Sequence, residues 1–121
     1  MARAGWIMTA LVALFLIAAS AAPKLLGADA AIESMQALGW STSYLLLIGI
    51  MELVFTILYV IPRSGLIGAV LLTGVLGGAL ASNLRADMPL FSHTLFSIYL
   101  GAFLWTALWL RDPDFRKALK L

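Results

Sequence analysis

One carboxylate stands where a carboxylate is costly. Glu52 lies inside LLLIGIMELVFTILYVIP, residues 45–62, a stretch that is otherwise apolar. Gly49, Glu52, Thr56 and Tyr59 recur at i, i+3, i+7 and i+10, one stripe of a helix. On that stripe Gly49 leaves room, while Thr56 and Tyr59 place hydroxyls beside the acid. Two kinds of chemistry suit such a group. It can be glue between helices, a protonated acid hydrogen-bonding to Thr73, Ser20 or a backbone carbonyl. It can instead face a cavity and carry a proton or hold a ligand, as ionisable groups in hydrocarbon often do. No Lys or Arg is expected at its depth, so the neutral acid is expected.

A second polar group comprises Lys24, Asn83, Arg85 and His93, all placed toward the other end of the apolar runs. Long cationic side chains there can simply reach back to water. The sharper expectation is an outer vestibule above Glu52 that takes an anionic or polar head group. His93, Ser97 and Gly101 follow one helical face. A single histidine makes a poor metal site, because catalytic zinc takes three protein ligands. No nucleophile, base and orienting group come together in the sequence, so no catalytic residue is assigned and an enzyme is not the expected reading. The chain has no cysteine, which excludes thiolate catalysis, disulfide exchange and iron–sulfur ligation.

The elements that must position these groups follow from composition. The 121 residues are 63% hydrophobic and 12% charged. Water-soluble domains carry about 25% charged residues, so this surface suits lipid. Four runs, at about residues 6–22, 44–61, 66–84 and 89–110, approach the roughly 17–25 residues that cross a bilayer as a helix. They lack the apolar–polar alternation of barrel strands. The expected fold is all-α: a single transmembrane domain, a four-helix bundle running up, down, up and down. The first run, with Arg3 before it and ASAAP after it, also has the form of a cleavable secretory signal; it is read as the first span.

Counting along the second run at 1.5 Å per residue, Glu52 is about 12 Å from one end and about 15 Å from the other. A central acid costs about 2.5–3.5 kcal/mol on insertion scales, and the run's twelve Leu, Ile, Val and Phe more than offset it. Six of the eight Lys and Arg residues lie at the N-terminus, the IPRSG turn and the C-terminus, and the other two are Lys24 and Arg85. The positive-inside rule then puts both termini in the cytoplasm of a bacterial inner membrane. Trp6, Trp105 and Trp109 toward one side, and Trp40, Tyr44 and Tyr99 toward the other, suit interfacial belts. Nucleic acid is not implied, since no basic stripe interleaves with aromatics.

The first outer loop, PKLLGADAAIESMQALGW, can form a short interfacial helix that Asp29 starts and Gly39 ends, with Ile32, Met35 and Leu38 on one side. The tail RDPDFRKALKL, with Phe115 and Leu119 on one face, is expected to rest on cytoplasmic head groups. In the third run Gly74, Gly78 and Ser82 form one row of small residues, and Thr73, Gly77 and Ala81 another. Small residues at this spacing let helix backbones approach, so these rows are expected to pack within the bundle or to seam a homo-oligomer. A leucine at Gly78 is accordingly expected to lower stability.

AAPKLLG, ELVFTILYVIPRSGLIGAVLLTGVLGGALASNLR and LWLRDP together resemble the DoxX-like family of small four-span bacterial membrane proteins. Members share a Glu in the second span, here Glu52, and a Gly-Gly pair, here Gly77–Gly78. Many have a histidine before the Leu-Arg that ends the third span; here Asn83 stands there. The resemblance implies architecture more than chemistry, since relatives are associated with quinone-linked redox complexes or with the assembly of other membrane proteins. The expected function is a non-catalytic subunit or accessory protein that binds a hydrophobic small molecule, lipid or quinone, or partner helices of a larger complex. A quinone-reactive subunit using Glu52 for the proton, and a small proton-coupled transporter, are the alternatives.

Overall fold

The computed structural model describes residues 2–88 and 95–119, and among them the regular structure is all helical. Helix α1 runs over Ala2–Leu25. Helix α2, Asp29–Ala37, lies in the loop that follows. Helix α3 covers Leu45–Val60 and α4 covers Gly65–Arg85. Helix α5 is Phe96–Arg111, and α6, Pro113–Leu119, ends the described chain. Three helical stretches, Ala2–Leu25, Thr42–Val60 and Pro62–Arg85, are long and apolar enough to cross a membrane. Helix α5 is apolar but shorter, and the start of the fourth expected span, residues 89–94, lies outside the described residues.

The first helix outruns the span expected from sequence, and it does so by changing its winding. Leu16–Ala21 form a π-helical segment, in which the Ala22 N–H reaches back to the Ile17 carbonyl. Pro23 explains the need. A proline has no N–H to donate and its ring crowds the carbonyl four residues back. Widening the helix just before Pro23 lets the chain stay helical to Leu25. π-Helical turns are rare and cluster at functional sites.

The four long helices pack around a core of Val12 and Leu16 from α1, Tyr59 from α3, Ala69 and Leu72 from α4, and Leu104 and Leu108 from α5. Helix α1 pairs with α5 over its first half, and its π-helical end lies against α3. Helix α4 packs on both α3 and α5. Glycines set the closest approaches: a Cβ at Gly68 would run into the backbone of Tyr59, and one at Gly5 would lie 2.6 Å from the backbone nitrogen of Arg111. Outward, the helices present Ile7, Leu11, Leu14, Leu46, Leu47, Ile67 and Val70, each more than half exposed. An apolar belt of that extent suits lipid as solvent.

Helix α2 folds back over the α3–α4 end. Ala28, not Asp29, is its N-cap residue, and Asp29 sits in the first turn, where its charge complements the helix dipole. At the other end Gly39 takes φ +78°, and the Trp40 N–H bonds to the Met35 carbonyl at 3.0 Å, a Schellman closure. Two contacts fasten this segment to α4: the Trp40 indole donates to Ser82 Oγ at 3.0 Å, and Arg85 donates to the Leu38 carbonyl at 3.0 Å.

Candidate functional site

Glu52 is buried at 5% exposure on the inner face of α3, and it is not alone. Lys24 Nζ lies 2.7 Å from Glu52 Oε1. Ser20 Oγ donates to Glu52 Oε2 at 2.6 Å, and Lys24 Nζ also donates to Ser20 Oγ at 2.8 Å. The three side chains close a triangle of charge-assisted bonds. This corrects the expectation that no Lys or Arg lies at the depth of Glu52. The reason is the extended α1: helical continuation through Pro23 carries Ser20 and Lys24, one helical turn apart, onto the face that meets α3. Gly49 makes the approach possible, since a Cβ there would sit 3.0 Å from Lys24 Cβ. A buried ion pair offsets its desolvation only when further hydrogen bonds satisfy it, and Ser20 supplies one.

Cavities flank the pair on two sides. The outer one, of about 320 Å³, is roofed by Met35, Leu38 and Trp40 of the α2 segment. Ile48, Met51, Val75, Gly78, Ala79 and Ser82 wall it, and Lys24 and Glu52 are its charged members. The inner one, of about 230 Å³, lies between all four long helices, and Ser20, Lys24, Glu52, Asn83 and Ser97 are its polar members. Phe15 and Phe96 also line it, with ring centroids 5.4 Å apart. A mainly apolar hollow with a few convergent polar groups is the usual form of a small-molecule site.

With this geometry in place, the comparison with known families is decisive. The sequence profile of the DoxX-like family matches residues 7–107, from the first turns of α1 to near the end of α5. The chain belongs to the DoxX-like family. No curated protein and no solved structure matches it. The DoxX-like chain is a multi-pass membrane protein, and its apolar helices contact the lipid bilayer.

The structure distributes the other sequence-selected residues of this DoxX-like protein unevenly. Thr56 turns its hydroxyl onto the carbonyl of Glu52 at 2.6 Å, within its own helix. Thr73 is remote from the acid: it donates to the Ala69 carbonyl and accepts from the Trp105 indole, both at 2.7 Å. Tyr59, fully buried, donates to the Leu104 carbonyl at 2.5 Å, two turns from Glu52. Of the expected outer vestibule, Lys24 and Asn83 reach the Glu52 cavities, Arg85 fastens the α2 segment, and His93 lies outside the described residues. A Cβ at Gly74, Gly77 or Gly78 would meet nothing within 4 Å, so among the described residues no helix uses these glycines as a close-packing face. Gly78 and Ser82 instead wall the outer cavity, Thr73 and Gly77 line a groove beside α5, and Ala81 is exposed.

A second polar centre was not foreseen. Arg111, read from sequence as a cytoplasmic surface charge, is 7% exposed. Its guanidinium carbon stands 4.4 Å from the Trp6 ring centroid and 4.7 Å from that of Tyr59, and the group donates to the Tyr59 carbonyl. It thus ties the ends of α1, α3 and α5 together, with Gly65 of α4 leaving space beside it. The small residues Gly5 and Gly65, each at the start of a helix, were the signal that could have located it. Among the described residues no cluster of three or more His, Cys, Asp or Glu forms a metal site.

Proposed function

We propose that this DoxX-like protein is a non-catalytic membrane subunit or accessory protein that holds a hydrophobic small molecule, a lipid or a quinone, in the outer cavity. The observation that carries the reading is the roughly 320 Å³ apolar space roofed by the α2 segment and ending on the Lys24–Glu52 pair. Its apolar walls would take a chain or ring, and the paired charges would orient a polar end. In this reading the helices form an up-down-up-down four-helix bundle in the bacterial inner membrane, both termini are cytoplasmic, and α2 lies in the outer interface.

The test is the mass spectrum and absorbance of molecules retained by the purified protein and by Gly78→Leu, whose side chain would project into the outer cavity. The wild type should release a stoichiometric amphiphile and the variant should not. A wild type that carries nothing in several mild detergents, or equal retention by the variant, would sink the reading. Proteins that co-purify would identify the complex it serves.

The Ser20–Lys24–Glu52 chain favours a second reading, a quinone-reactive redox subunit in which Glu52 handles the proton. Glu52→Gln would then fold and retain quinone but lose quinone-dependent electron transfer. Unchanged electron transfer in that variant would exclude this role.

A further inference from the structure

The inner cavity has a character of its own. Its polar members come from four helices: Ser20 and Lys24 from α1, Glu52 from α3, Asn83 from α4 and Ser97 from α5. Two of these, Glu52 and Ser97, are at least nine-tenths buried. The outer cavity shares the ion pair but is otherwise apolar apart from Ser82 and Trp40, whose polar atoms bond each other. The Asn83 amide nitrogen donates one hydrogen to the Ala79 carbonyl at 2.8 Å, which leaves the side chain a second N–H and its carbonyl oxygen. The ion pair thus forms part of two different walls.

We propose that the inner cavity is a head-group site for a neutral, hydroxyl-bearing group such as a substituted six-membered ring or a glycerol unit. The inference rests on the reading of the pair as a binding feature, and adds a second, separate site on the other side of the pair from the cavity under α2. Size comes first. Apolar protein cavities of about 150 Å³ hold benzene, so about 230 Å³ admits a ring with small substituents. Charge comes next. Lys24 and Glu52 neutralise each other at 2.7 Å, so a charged ligand would bring an uncompensated charge into a low-dielectric space. Hydrogen bonding then selects the group. The walls offer acceptors in Glu52 and Asn83 and donors in Lys24 and Ser97, and a hydroxyl can satisfy both kinds at once. A hydrocarbon would take up none of these bonds.

The experiment measures binding of defined probes to the purified full chain by calorimetry in detergent. The neutral probes are p-cresol and glycerol mono-octanoate. The controls are toluene, octanoate and octylamine, each also titrated into protein-free micelles. At least one neutral hydroxyl probe should bind more tightly than every control. A ring head is indicated if p-cresol alone binds, and a lipid glycerol head if the ester alone does. Ser97→Ala should weaken the hydroxyl probe about fivefold, the loss of one hydrogen bond, while leaving toluene unchanged. Ser97→Leu, which fills the cavity, should abolish binding, and Ser97→Ala keeps the test valid should that variant fold poorly. Equal binding of the charged probes, or indifference to Ser97→Ala, overturns the proposal. Gly78→Leu separates the two sites: if it removes probe binding while Ser97→Ala does not, the probes occupy the outer cavity and the inner site falls alone. If no probe binds yet the wild type retains its amphiphile, the outer reading stands without the inner one.

Discussion

Replacing Lys24 with methionine removes the cation and keeps much of the side-chain volume. Glu52 is then left without its counter-charge at depth, which costs about 2.5–3.5 kcal/mol on insertion scales. Lys24→Met should therefore lose about 3 kcal/mol at pH 7, in line with the 3–5 kcal/mol typical of breaking a buried pair. Removing both charges, as Lys24→Met with Glu52→Met, should restore stability to within about 1 kcal/mol of wild type, since apolar replacements of buried pairs are often neutral or better. Reversible unfolding in mixed micelles at pH 7, followed by tryptophan fluorescence, measures the wild type, the single and the double variant. A single variant as stable as wild type, or a double variant no better than the single one, would refute the buried pair.

Other outcomes follow from the same contacts. Gly68→Ala should cost about 1–3 kcal/mol by overpacking, because its Cβ would meet the Tyr59 backbone, whereas Gly78→Leu should leave the unfolding midpoint near wild type. Arg111→Lys keeps the charge but loses the planar stacking on Trp6 and Tyr59, and should cost about 1–2 kcal/mol in the same assay. Tyr59→Phe removes the bond to the Leu104 carbonyl and should cost about 1 kcal/mol. Reporter fusions after Leu121 should behave as cytoplasmic and those at Glu33 as external; a periplasmic C-terminus would reverse the proposed orientation.

The helices were legible because lipid imposes long apolar runs, and their polar interruptions mark the ends. Glu52 was legible for the same reason, as a charge within such a run. Its partner was not. Lys24 reads as a loop residue because Pro23 reads as a stop, and only the π-helical widening before Pro23 keeps the chain helical to Leu25. Spacing says that a backbone could approach, but not which one does: among the described residues Gly5, Gly65 and Gly68, in no regular row, hold the tight contacts, while Gly74, Gly77 and Gly78 meet no other helix closely. Arg111 was hidden because a cation at a helix end ordinarily reads as interfacial, and its cage of Trp6 and Tyr59 is assembled from distant parts of the sequence.

The pairing of the first helix with the last has a consequence for biosynthesis. Gly5 seats against Arg111, and synthesis proceeds at about 5–20 residues per second. The first span therefore waits about 5–20 seconds in the membrane before its main partner exists. During that interval its inward face, Gly5, Thr9 and Val12, must be shielded by lipid or by the insertion machinery. A ribosome that stalls before α5 is made leaves that face open, so the completeness of the chain is recorded in whether Arg111 has arrived between Trp6 and Tyr59.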